Sequence, residues 1–88
     1  MDYLLFSYPN CSKCEALKKR LAETGTPYQE FGLTQTAGKA KIREFINVIK
    51  RDEKGAIYLP TLIAHTQGIV RAVLISVEEF DEWLRSKG

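Results

Sequence analysis

The chain predicts an α/β fold, a four-stranded mixed sheet flanked by three helices, on three observations. Strand and helix patterns alternate from end to end in the order β-α-β-α-β-β-α. The first two strand segments are separated by a helix, so they should run parallel through a right-handed crossover, while the last two lie a hairpin turn apart and should be antiparallel. The 88 residues suffice for one small domain, 1–88, with no repeat, low-complexity tract or linker to divide it.

Each element has its own signal. Tyr3 to Ser7 opens on the apolar run Tyr3-Leu4-Leu5-Phe6 and reads as a buried strand, ending in the turn-rich Tyr8-Pro9-Asn10. The spacing predicts a helix over Glu15 to Thr24, with Cys14, Leu17 and Leu21 on one face; Gly25 ends it and Pro27 prevents its resumption. Lys18-Lys19-Arg20 then reads as a solvated face. Tyr28 to Leu33 suits a second strand. Thr34 to Thr36 offer capping hydroxyls to a second helix running to about Asp52, whose stripe is Ile42, Phe45, Ile46 and Ile49; Gly55 supplies the stop. Leu59-Pro60 precedes a third strand, Thr61 to His65, and Thr66-Gln67-Gly68 turns it into a fourth, Ile69 to Leu74. The last helix opens on a capping box of Ser76 and Glu79, with Ile75 stapled onto Phe80 and a buried face of Phe80, Trp83 and Leu84.

Composition narrows the functional classes. A hydrophobic fraction of 44% is ordinary for a globular domain. Thirteen basic against eleven acidic residues give a net charge of +2, which carries no nucleic-acid signal. No stretch approaches the roughly 20 apolar residues that span a bilayer. Met1-Asp2-Tyr3 lacks the basic, apolar pattern of a secretory signal, so a cytoplasmic location is expected, with no membrane association; a monomer is expected as well.

Chemistry concentrates in Cys11-Ser12-Lys13-Cys14, which holds both cysteines of the chain. A thiol at a helix start meets unpaired N–H groups and the positive end of the helix dipole, and these favour the reactive thiolate. In a reducing compartment such a pair is a redox couple rather than a permanent staple. The sequence therefore points to dithiol–disulfide chemistry.

The motifs Tyr8-Pro9-Asn10-Cys11-Ser12-Lys13-Cys14 and Tyr58-Leu59-Pro60-Thr61-Leu62-Ile63, with the closing hairpin and last helix, make the whole chain resemble a thioredoxin fold in its minimal glutaredoxin form. The resemblance implies a thiol–disulfide oxidoreductase serving electron transport and cell redox homeostasis. Cys11 would be its nucleophile and Cys14 its resolving thiol, and the bond between Leu59 and Pro60 would be cis. It implies no bound cofactor and no metal, with glutathione as a co-substrate and disulfide-containing proteins as substrates. Lys13, Tyr8, Leu59, Pro60, Ser76 and Val77 are the expected ligand contacts: Lys13 and the last helix's N-terminus for carboxylates, and the Leu59 backbone for an extended ligand. The chain departs from the family in having Ser12-Lys13 between the cysteines, Tyr8 where a lysine is common, and Val73-Leu74-Ile75-Ser76 where a Gly-Gly pair and an acidic residue usually help to hold glutathione.

Those departures keep other readings open. One is an electron donor recharged by a thioredoxin-reductase-type flavoenzyme. A second is a dimeric iron–sulfur or metal-binding module, although His65 is the only further soft ligand for a zinc site within the chain. A third is an arsenate-reductase-like protein, suggested by Asn10-Cys11-Ser12, with Arg71 as its oxyanion partner. His65 itself reads as a structural residue beside a turn, and Tyr8 and Tyr58 serve equally well at a ligand groove or a core edge.

Overall fold

The computed structural model describes residues 1–87. Its elements are β1 (Asp2–Ser7), α1 (Ser12–Glu23), β2 (Gln29–Gly32), α2 (Thr36–Arg43), β3 (Thr61–Thr66), β4 (Ile69–Leu74) and α3 (Val77–Lys87). They form a four-stranded open mixed sheet in the order β2-β1-β3-β4. β1 and β2 are parallel; β3 is antiparallel to both β1 and β4. This is the expected mixed α/β architecture, and its order fits a minimal thioredoxin-like fold. Among the described residues no helix is long and apolar enough to cross a membrane.

Why β1 is apolar along its length follows from its central place. Tyr3 and Leu5 pack on one face with Leu17 and Leu21 of α1 and Phe80 of α3. Leu4 and Phe6 pack on the other with Ile42 and Ile49. A strand covered on both faces loses the alternation of a half-exposed one. The two helices of the first face are also tied by Arg20 Nε donating to Asp81 Oδ1 at 2.8 Å, and Trp83 Nε1 donates to the Tyr3 hydroxyl at 3.3 Å.

Several sequence expectations need correction. α1 begins at Ser12, three residues before the expected Glu15, because Cys11 itself is the N-cap. α2 stops at Arg43 rather than near Asp52. Beyond it the chain turns tightly, with Phe45 N–H donating to Ile42 O (3.0 Å) and Ile46 N–H to Arg43 O (3.3 Å). Ile46-Asn47-Val48-Ile49 is a run of β-branched residues and asparagine, a weak continuation for a helix. The apolar stripe survives in part: Ile42 and Ile49 are buried and Phe45 half-buried, but Ile46 is exposed.

The threonines do not cap α2. Its N-cap is Gln35, with no side-chain capping bond. The helix is instead seated by close approach to β2: a Cβ on Gly38 would lie 2.0 Å from the Gly32 carbonyl oxygen. The hairpin turn is shorter than expected, with only Gln67 and Gly68 between the strands, both at positive φ (52° and 80°), the requirement of a type I′ turn. A bulge unseen in the sequence follows it. Pairing runs from Ala64–Ala72 to His65–Val70 and skips Arg71, so Ala72 packs on the α1/α3 face and Val70 on the α2 face.

Candidate functional site

Two chain segments meet at one end of the sheet. β1 runs out at Ser7 into the Tyr8–Cys11 loop, and Phe6 pairs with Thr61 across the β1–β3 ladder. Pro60, one residue before Thr61, therefore sits at the same end as the cysteines. Asn10 adopts the left-handed conformation (φ 58°), which asparagine tolerates better than most residues, and this turns the chain into α1.

Cys11 then occupies the N-cap with extended backbone (φ −105°, ψ 105°), and its sulfur accepts the Cys14 N–H at 3.2 Å. A serine or aspartate oxygen usually takes that place. The Cys11 carbonyl accepts from Glu15 N–H at 3.1 Å, the first turn of the helix. Cys11 and Cys14 lie at disulfide distance with Cα atoms 5.2 Å apart, inside the normal bridging range. The two sulfurs differ in access: Cys14 is fully buried against the α1 core face, and Cys11 is only half-buried.

The Leu59–Pro60 peptide is cis. The backbone of Tyr58 is engaged on both sides, its N–H with Lys50 O (3.3 Å) and its carbonyl with Thr61 Oγ1 (2.6 Å). Among the described residues the Leu59 backbone makes no such bond. Pro60 is buried.

Beside these residues a groove of about 440 Å³ is lined by Lys13 and Ala16 of α1, by Tyr58 and Leu59, and by 75–79 at the start of α3. Four sequence-predicted contacts thus share one groove: Lys13, Leu59, Ser76 and Val77. Tyr8 is not among them. It is exposed and lines a second groove with Asn10, Glu15, Lys18 and Glu30. His65 pairs with Asp2, at the end of the sheet away from the cysteines, and packs its ring 6.2 Å from that of Phe45.

Sequence reasoning missed two features around the site. Lys18-Lys19-Arg20 is not one solvated face. Lys18 pairs with Glu15 (2.6 Å) and Glu30 (3.1 Å), and Arg20 reaches Asp81, leaving only Lys19 fully outward. Ser7 Oγ donates to Glu30 Oε2 at 2.7 Å; that bond first, then Lys18, holds the Glu30 carboxyl below the usual carboxylate range. Nothing in the local pattern joins Ser7, Lys18 and Glu30, which come from three elements.

The second feature is the acidic start of α3. Ser76 Oγ accepts from Glu79 N–H at 3.1 Å, as the capping box requires, but Glu79 Oε1 reaches back to Ile75 N–H (2.9 Å), one residue beyond the usual partner. Glu78 and Glu79 both line the groove. The Ser-x-x-Glu motif signalled the cap and gave no hint of the groove.

Among the described residues no group of three or more His, Cys, Asp or Glu side chains is placed to hold a metal ion. No protein-family model matches the chain, and no curated protein matches it.

Proposed function

We propose that the protein is a thiol–disulfide oxidoreductase of glutaredoxin-like type, working in the cytoplasm through Cys11 and Cys14. The supporting observation is the Cys11 sulfur at the N-cap of α1, accepting the Cys14 amide while the more buried Cys14 waits one turn along. An N–H donor and the helix dipole both favour a negative sulfur at that place.

The reaction balances without a bound cofactor. The Cys11 thiolate attacks one sulfur of a substrate disulfide; a Cys11–substrate disulfide forms, and the other substrate sulfur leaves as a thiolate and takes up a proton. Cys14, deprotonated, then attacks the Cys11 sulfur. The Cys11–Cys14 disulfide forms, and the second substrate thiolate is released. The dithiol has given two electrons to the substrate. Two thiols, of glutathione or of a flavoenzyme dithiol, return them by the reverse exchange. The cis turn leaves the Leu59 backbone to hold an extended substrate beside the sulfurs, in the manner of an added strand.

Recharging by a thioredoxin-reductase-type flavoenzyme is the second reading. It is favoured by the segment before α3, where Val73-Leu74-Ile75-Ser76 stands in place of the Gly-Gly pair of glutaredoxins, and by the two carboxylates, Glu78 and Glu79, that line the groove after it. Turnover of a small disulfide with each reductant, with Cys11→Ser as the blank, tests the proposal and separates its two forms.

A further inference from the structure

The groove that Lys13, from between the two cysteines, lines with Leu59 is electrically lopsided. At its α1 end stands Lys13 and at its α3 end stand Glu78 and Glu79, with Ala16, Tyr58, Leu59, Ile75 and Val77 as the apolar lining between. Glu79 is partly neutralised, since Lys50 Nζ lies 3.4 Å from its Oε1. Glu78 is exposed and has no ion pair or hydrogen bond among the described residues. The α3 end has also used some of its own anion-binding capacity. The Glu79 amide is taken by Ser76 Oγ and the Ile75 amide by Glu79 Oε1, so the chain's own carboxylate occupies part of the place an incoming anion would seek.

From this we infer that the groove selects disulfides carried on cationic peptide segments, with a lysine or arginine close to the reacting cysteine reaching Glu78, and discriminates against ligands that bring a carboxylate to the same place. The inference rests on the oxidoreductase reading and names its substrate class. The occupant is an extended polypeptide: the free Leu59 backbone supplies main-chain pairing, the apolar lining receives a neighbouring side chain, and Glu78 supplies the charge preference. Because Glu78 is exposed, the preference is modest and salt-sensitive; exchanging an attracted for a repelled charge at such a site changes affinity by about fivefold.

The test uses the full chain and a set of short peptides holding one cysteine as a mixed disulfide with a neutral thiol. The peptides differ only in carrying lysine, glutamine or glutamate at positions flanking the cysteine. The expected kcat/KM order is lysine, glutamine, glutamate, with about fivefold or more between the extremes at low ionic strength, shrinking at high salt. Glu78→Gln should flatten the ratio and Glu78→Lys invert it, while Glu53→Gln, outside the groove, should leave it unchanged. A flat series in the unsubstituted protein, with turnover intact, overturns the charge preference and spares the oxidoreductase reading. Should no peptide turn over, that reading fails instead. The groove is then tested without chemistry, by titrating the same peptides with serine for cysteine while following the Val77 and Glu78 amide resonances. Tighter binding of the lysine peptide upholds the cationic groove; equal or weaker binding overturns it.

Discussion

The backbone amide of Cys14 donates to the sulfur of Cys11 at 3.2 Å, so the first cysteine of the pair is also the residue that caps α1. The sulfur proposed to react is also the atom that caps the helix. The arrangement gives the sulfur a donor and a dipole, and it places the second sulfur within disulfide distance on the buried face of the helix. The proposed roles rest on this difference in access, the half-buried Cys11 as the attacking thiol and the buried Cys14 as the resolving one.

That division predicts a trapped intermediate. Reduced Cys14→Ser protein mixed with a small disulfide should hold one substrate half on Cys11, read as a mass increase that a reductant removes, whereas the native protein releases both halves. An equal, lasting adduct on the native protein would show that Cys14 does not resolve it.

Glu30 couples stability to pH. Its carboxyl is lowered first by the Ser7 hydroxyl and then by Lys18, so the folded state favours the ionised form. The stabilisation is present above the ordinary carboxylate range and is lost as pH falls through the lowered folded value. The Glu30 side chain is 39% exposed, and solvent and salt screen much of the effect. Glu30→Gln should lower the urea midpoint at neutral pH and do so by less at pH about 3, where the native carboxyl also begins to lose its charge. A gap that is constant across that range would assign the loss to packing instead.

Gly38→Ala should be disproportionately costly for an exchange that ordinarily favours a helix. The added methyl would meet the Gly32 carbonyl oxygen at 2.0 Å, and backbone cannot rotate aside as a side chain can. α2 would have to lift from β2, at a cost of about 1–3 kcal/mol by denaturant unfolding. An unchanged or raised midpoint would contradict the close approach.

The α3 cap is expected to contribute on the ordinary scale. Ser76→Ala removes the acceptor for the Glu79 amide and should cost about 1 kcal/mol, measured in the same way. Ser76→Thr keeps a hydroxyl and should recover most of it.

Local chemistry made much of this legible in the sequence. The uninterrupted apolar run of β1, the Ser76–Glu79 cap and the paired cysteines each declare themselves within a few residues, as does a hairpin turn near Gly68, though not its two-residue length. The end of α2 did not, because Ile42, Phe45 and Ile49 keep a helical spacing while Ile46, Asn47 and Val48 weaken the helix that would carry it. Nor did the start of α1, since a sulfur took the capping place where an oxygen is the usual signal. The groove was half legible. Lys13, Leu59, Ser76 and Val77 line one groove, but Glu78 and Glu79 join them there without a sequence signal, and Tyr8 falls on another side because the loop leads it toward Glu15 and Lys18. Such juxtapositions belong to the tertiary fold and leave no trace in neighbouring residues.

The most direct measurement is turnover of a small disulfide by the reduced protein, in one arm with glutathione and its reductase and in the other with thioredoxin reductase and its nicotinamide donor. Sustained turnover in at least one arm, abolished by Cys11→Ser, is the expected result. Rates in both arms no higher than those of Cys11→Ser, with Cys11 still open to alkylation, would contradict an oxidoreductase working through Cys11.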